Sequence, residues 1–547
     1  MNARDDGGVP ASPRVRHFRH ILLWPLQLVP GEDRQQVQRH WERLGRSAPG
    51  NPWFEVADEF AGDPGDFRMR HYGEFITFLP AVQRFLYGEG GEGGYGESPI
   101  RVFRRNDVAR VRLTLDAASP PVELAVAHVD LYFFYDIEVV LLAVEAYADD
   151  LPLSTVEELL FRFGRSYPAF WEDDGRGGNC FAKVEWLSPT GAVVARSDYE
   201  DKEKFLSFVS RNREAAVSAD WAYLVAPMVP HAAGPPGALR CHQLEYLRLP
   251  LMAYLAMDAP ETLTRADFVR LAFATRAGEA DRMPFSERAL ADFEEAYCYD
   301  HYWRVDDPSV ASTRFLCTGN TLVVVGDAER PFFTDAERGV LAQFRHQYFL
   351  LGLIAHFHKA ALLMFRHRLV NAVSRLDIRD PASIRGFKRD IRLTFEVFLR
   401  FTHRYWFHEV SIQAPAKPLY AMLRRHLGTR ELYDEIRQEV QDVSQYLDSD
   451  GIRRQANTVV RLTVVTTAGL VGTIATGFLG MNLIAAAGEP LWARALYFVV
   501  VLGTVTMLTF YTITISKRLS EFMELLSDER LSLGTKLKAF ARVFTGK

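Results

Sequence analysis

Cysteine is scarce in this 547-residue chain: Cys180, Cys241, Cys298 and Cys317 are the only four, and no Cys-x-x-Cys spacing occurs. That excludes a disulfide framework and a thiolate zinc cage, and fits a reducing compartment. An excess of positive charge is also missing. The 64 Lys and Arg face 69 Asp and Glu, for a net charge of −5, which argues against a dedicated nucleic-acid binder. No His-Glu-x-x-His motif occurs, and His356 and His358 stand two apart, which sends them to different faces of a helix. The glycine-rich stretch Gly88–Gly96 lacks the Lys-Ser/Thr pair and the following helix of a phosphate loop, so it reads as a plain loop. No nucleophile and base stand at a recognisable spacing. The expectation is a protein that is not an enzyme and holds no cofactor. Met1–Pro30 begins polar, carries Arg14, Arg16, His17 and Arg19, and has its apolar run broken by Pro25, so no secretory signal is expected.

Charge is absent altogether from two later stretches. Leu462–Ile484 has 23 residues and Ala495–Ile515 has 21, all uncharged. A helix of about 20 such residues crosses the hydrocarbon of a bilayer, and a helix satisfies its own backbone groups there. Ten residues, Ala485–Arg494, join the two stretches. Arg453, Arg454 and Arg461 precede the first, and Lys517 and Arg518 follow the second. Cationic flanks prefer the cytoplasm, so both termini are expected inside, with Trp492 and Tyr497 at the outer interface. A third apolar stretch, Tyr348–Phe365, is long enough to span but carries His356, His358 and Lys359 at its centre. Those groups are costly in lipid, so it is expected to be a buried helix of the cytoplasmic part.

The first uncharged stretch ends Phe478-Leu479-Gly480-Met481-Asn482. A polar Asn at the outer end of an apolar helix, then a short loop and a second span, resembles the CorA family of divalent-cation transporters, whose signature is Gly-Met-Asn at this place. The resemblance covers about the C-terminal quarter. It implies a homopentamer in the cytoplasmic (inner) membrane, with Gly480, Met481 and Asn482 as the outer selectivity site for hydrated Mg²⁺. The chemistry suits the residues, because Mg²⁺ sheds water reluctantly and an amide oxygen accepts hydrogen bonds from bound water. The one loop acid, Glu489, would attract cations. The chain departs from the family in having Leu479 before the triplet, where an aromatic is common, and a basic amphipathic tail over 516–547.

Counting back from Asn482 in steps of three and four gives Gly480, Gly477, Thr473, Leu470, Thr466 and Leu462 on one helical face. Thr473 and Thr466 would touch the water on a passing ion, and Leu470 and Leu462 would form gating constrictions. The same spacing also fits threonines bonded to their own backbone and glycines serving helix packing.

Ahead of the spans, Leu419–Asn457 has few breakers and repeats Leu432, Ile436, Val440, Val443 and Leu447 along one stripe, the pattern of a long stalk helix. Residues 431–450 hold seven acids against one base. Asp442, Asp448 and Asp450 among them are candidates for sensing Mg²⁺, and a solvated helix face is the plainer reading. Residues 338–430 carry 17 Lys and Arg against five Asp and Glu. Internal acids, lipid headgroups or a soluble anion are the candidate partners for that charge. Helices are expected over Asp335–Leu376 and Pro381–Ser411.

The region 1–330 alternates apolar runs that read as strands (His17–Leu28, Ile100–Leu115, Val122–Tyr135, Asn179–Trp186, Gln243–Met257 and Arg314–Val325) with helical patterns at Ser154–Phe163 and Thr264–Phe273. The expected fold is therefore an α/β or α+β cytoplasmic domain (1–330), with a break near Ser188–Asp201 or His231–Gly237. A helical funnel and stalk (331–461), two transmembrane helices (462–515) around the loop 485–494, and a tail (516–547) follow. Passage of a divalent cation, Mg²⁺ foremost, is the leading expectation. The alternatives are a Zn²⁺ or Co²⁺ transporter of the same superfamily, or a membrane effector operated by a ligand, an anion for instance, on the large cytoplasmic region.

Overall fold

A computed structural model describes residues 13–29, 39–45, 51–56, 69–88, 98–116, 118–231, 239–244, 248–278, 285–304, 312–377, 380–480 and 488–527. The chain divides into two compact units, Met1–Val440 and Gln441–Lys547.

The first unit is mixed α/β, built on one large sheet. Its strands are β1 (Arg14–Leu28), β2 (Trp53–Glu55), β3 (Ile100–Arg105), β4 (Arg110–Thr114), β5 (Val122–Phe134), β6 (Ile137–Pro152), β7 (Lys183–Leu187), β8 (Val193–Arg196), β9 (Val229–Pro230), β10 (Arg240–Gln243), β11 (Leu251–Met257), β12 (Cys298–Tyr302), β13 (Thr313–Cys317) and β14 (Thr321–Asp327). The main path runs β12-β13-β14-β11-β1-β6-β5-β4-β7-β8; β3 branches from β5 and carries β2, and β10 branches from β1 and carries β9. Pairing is antiparallel except at β11–β14 and β9–β10.

Several expected strands have other limits. The run Ile100–Leu115 is two strands, and so is Arg314–Val325; Gly319, at φ 74, turns the second pair. Of Gln243–Met257, Gln243 ends β10 and the next strand begins only at Leu251. In place of a break, Ser188–Asp201 holds β8, hydrogen-bonded to β7. Residues 232–237 of the other candidate break, and 89–96 of the glycine-rich loop, lie outside the described residues.

Both faces of the sheet are covered. On one, Trp24 of β1 meets Trp221 edge-on with ring centroids 5.7 Å apart, and Trp221 meets Trp186 of β7 at 6.1 Å. All three are fully buried, and each such side chain contributes about 1.5–3 kcal/mol or more by leaving water. On the other face lies the helix Phe349–Ser374, the third apolar stretch. Its apolar window is 78% buried, as expected of a core helix. Phe357 stacks on Phe134 of β5 at 3.9 Å and on Phe85 at 5.6 Å. Gly352 allows the close approach to the sheet, since a Cβ there would stand 2.8 Å from Met252 Sδ.

His358, a central polar group of this helix, is answered inside the protein. His358 shares a short hydrogen bond through Nε2 with the Tyr405 carbonyl (2.5 Å) and another through Nδ1 with the Tyr420 hydroxyl (3.3 Å). Burial pushes its pKa down to about 3, so it is neutral. Tyr405 and Tyr420 belong to the outer layer, which contains the helices Pro381–Arg404 and Ala416–Leu427. The first of these ends at Arg404 rather than at Ser411. The expected helix Asp335–Leu376 is likewise interrupted: Val340–Gln343, then a wide π-turn at Phe344–Tyr348, then the core helix.

Acids of the sheet answer part of the cationic excess of 338–430. Arg368 pairs with the buried Glu138 (2.5 Å), Arg345 with Glu145 (3.1 Å) and Arg400 with Asp136 (3.4 Å). The stalk helix starts later than expected. Gly428, at φ 62, ends Ala416–Leu427 with an αL cap, and a new helix runs Thr429–Gly480. Its stripe residues Ile436 and Val440 are buried, and Tyr433 stacks on Trp406 at 4.5 Å.

Candidate functional site

The uncharged stretches fall in two long helices. Thr429–Gly480 contains the start of the first, and Leu491–Ser527 contains the second whole. The segment Leu491–Tyr511 is long and apolar enough to cross a membrane, and only 6% of it is buried. Val499, Val500 and Met507 are exposed. By length and composition the core helix with its preceding turns, Val340–Ser374, also qualifies, but its apolar surface is already occupied by the sheet.

Thr466, Leu470, Thr473, Gly477 and Gly480 are all exposed along one stripe of Thr429–Gly480. The buried residues at this level, Val471 and Ala475, lie on the opposite side of the helix. Among the described residues, nothing stands within 4 Å of where a Cβ on Gly480 would be. The hydroxyls bond to their own helix: Thr473 Oγ1 donates to the Gly469 carbonyl (2.9 Å) and Thr466 Oγ1 to the Thr463 carbonyl (3.0 Å). The threonine oxygens keep their own lone pairs while donating, so they remain acceptors for water. Leu462 lies in the helix with its side chain outside the described residues, and Met481 and Asn482 lie outside them altogether, as does 528–547 of the tail. Glu489 is exposed, and so is Asp442; the side chains of Asp448 and Asp450 are not among those described. No group of three or more His, Cys, Asp or Glu is placed to hold a metal ion among the described residues.

A second site is present that the spacing of residues did not announce. It is a cleft of about 450 Å³ in the first unit, on the sheet face that the core helix covers. That size is usual for a small-molecule pocket. Strand alternation builds its floor: His128, Asp130 and Tyr132 from β5, Ala143 and Glu145 from β6, Ile21 from β1. The π-turn supplies Arg345 and His346, and the core helix supplies Phe349, Leu350 and Leu353. Single wide turns of this kind recur at functional sites.

Every carboxylate in the cleft is engaged. Asp130 takes both arms of Arg104 (2.7 and 2.8 Å), Glu145 accepts from Arg19 (2.8 Å) and Arg345 (3.1 Å), and Glu74 accepts from the Tyr87 hydroxyl (2.7 Å). Burial, with Arg104 nearby, holds the His128 pKa below its ordinary value, and burial raises that of Tyr132. Both are therefore neutral near pH 7. The cationic segment lines a further cleft of about 340 Å³ with Lys417, Arg424, Arg425 and Arg430, beside Glu409 and Glu431.

No protein family, no curated protein and no solved structure matches this chain.

Proposed function

We propose that the chain is the subunit of a homopentameric membrane channel that passes hydrated divalent cations, Mg²⁺ foremost, with no ATP step. The observation that carries the reading is the exposed stripe Thr466, Leu470, Thr473, Gly477 and Gly480 on a helix whose buried residues at that level lie on its far side. Five copies facing one another would turn that stripe into a pore of hydroxyl and apolar rings, and would set Asn482 as a ring of amide oxygens at its outer rim. The open apolar surface of Leu491–Tyr511 would face lipid. The protein would then be multi-pass in the inner membrane, with both termini in the cytoplasm and Glu489 on the outer loop. An inside-negative potential of 100 mV favours entry of a doubly charged ion by roughly 4.6 kcal/mol. Asp442, Asp448 and Asp450 would bind Mg²⁺ on the cytoplasmic side and hold the pore closed when the ion is plentiful.

The test is Mg²⁺ uptake into liposomes by the wild type, Asn482→Ala and Leu470→Asn. Loss of cation selectivity in the first variant and a raised leak in the second are expected. Equal flux and selectivity in all three proteins defeat the proposal.

A further inference from the structure

Donors and acceptors in the cleft of the first unit do not balance. Its three carboxylates are all engaged, as described above. Several donors are not. Arg345 uses Nε on Glu145, and its two terminal amino groups make no hydrogen bond to any described residue. The Tyr132 hydroxyl makes none either, although its ring packs on Phe349 at 5.7 Å. His128 Nδ1 is buried without a partner. A partly buried guanidinium fork with open ends is the group that recognises a planar carboxylate in two parallel bonds. These groups line the cleft without a hydrogen-bond partner among the described residues, so an acceptor that enters it meets unengaged donors. Beside these donors the cleft is apolar, lined by Phe349, Leu350, Leu353 and Ile21.

We propose that this cleft is a binding site for a small organic anion, a carboxylate on an apolar body. The carboxylate sits on the terminal nitrogens of Arg345 and the Tyr132 hydroxyl, and the body lies against Phe349 and Leu350. A cationic ligand is disfavoured because no carboxylate in the cleft lacks a donor. Bare inorganic phosphate is disfavoured because half of the lining is apolar. The inference goes beyond the transport reading and stands or falls independently of it.

The experiment uses the full chain in lipid nanodiscs, titrated calorimetrically with 2-naphthoate against empty nanodiscs. One saturable site per chain is expected, weakened about tenfold or more in Arg345→Met, which removes the two-pronged charge-assisted contact. Arg345→Lys should recover part of the affinity. Leu350→Trp, which fills the apolar end and leaves every charge in place, should also abolish binding. Arg430→Met, in the other cleft, should bind as the wild type does. Naphthylmethylamine and inorganic phosphate should not bind at this site. Undiminished binding in both Arg345→Met and Leu350→Trp, equal binding of the amine, or no saturable binding of 2-naphthoate up to about 10 mM, a generous ceiling for an ion-paired aromatic, overturns the assignment. Mg²⁺ flux is measured separately, so failure here and failure of the channel reading give different results.

Discussion

Phe357 offers a direct test of where the apolar helix Phe349–Ser374 resides. Its side chain is fully buried. It stacks on Phe134 at 3.9 Å and on Phe85 at 5.6 Å, and meets Phe401 and Tyr405 at 6.0 Å. Replacing Phe357 by Ala removes a whole ring from a packed junction of sheet, core helix and outer helix. Buried Phe→Ala changes cost about 3–5 kcal/mol in lost transfer and cavity formation, and lost ring–ring contacts add about 0.5–1.5 kcal/mol each. Against a total of about 5–15 kcal/mol for a domain, that is a large fraction of the unit's stability. The assay is urea unfolding followed by tryptophan fluorescence, since Trp24, Trp186 and Trp221 report on the core of the same sheet. A midpoint shift equivalent to about 3 kcal/mol or more, with an unchanged slope, is expected. If the helix spanned a bilayer instead, Phe357 would exchange one apolar environment for another. A shift below about 1 kcal/mol, the size of an ordinary surface change, would therefore refute the packing argument.

Two further outcomes follow from single residues. Asp220 is fully buried, accepts from the Ser218 hydroxyl and from Tyr199 (3.4 Å), and burial pushes its pKa above the usual carboxylate range, up to about 7. The unfolded chain releases this proton before the folded one does, so stability falls as pH rises from about 4 to about 7, by on the order of 1 kcal/mol per pH unit. Asp220→Asn should lose that part of the slope and gain on the wild type between urea midpoints at pH 5 and pH 8; identical slopes would contradict it. Gly428 holds φ 62 between Ala416–Leu427 and Thr429–Gly480. Gly428→Ala should cost about 1 kcal/mol in the same urea assay, whereas no change would mean that the two helices do not need the left-handed cap.

How much of this was legible in the residues depended on whether the physics was local. The core helix was legible because His356, His358 and Lys359 interrupt an otherwise lipid-like stretch. The stalk stripe was legible because Ile436 and Val440 recur at helical spacing. Strand β6 was not: Ile137–Pro152 is covered on both faces over most of its length, so it reads as a continuous apolar run with no period of two. The break at Gly428 was visible as a glycine, but its left-handed conformation depends on the turn it closes. The cleft was hidden for another reason. Glu74, His128, Tyr132, Glu145 and Arg345 are scattered along 272 positions and meet only because β5 pairs with β6 and the helix Met69–Thr77 and the π-turn pack beside them. The alternation His128-Asp130-Tyr132 was the one local trace of it: polar groups on the strand face that should have been apolar.

That trace and the third apolar stretch make the same point about polar atoms in apolar settings. Val340–Ser374 and Leu491–Tyr511 both pass a test of length and composition for crossing a membrane. Hydropathy alone says that each leaves water and does not say for what. His358 of the first requires hydrogen-bond partners at fixed positions, and a folded protein supplies them in Tyr405 and Tyr420. The threonine hydroxyls of the second require none beyond their own backbone, with Thr504 on the Val500 carbonyl (2.8 Å) and Thr509 on that of Val505 (2.8 Å). A helix that satisfies all its polar groups internally is free to face lipid. A helix that cannot do so is tied to the neighbours that complete it. By the same reasoning, the open donors of Arg345 and Tyr132 in the cleft are available to a partner, since no described residue takes them up.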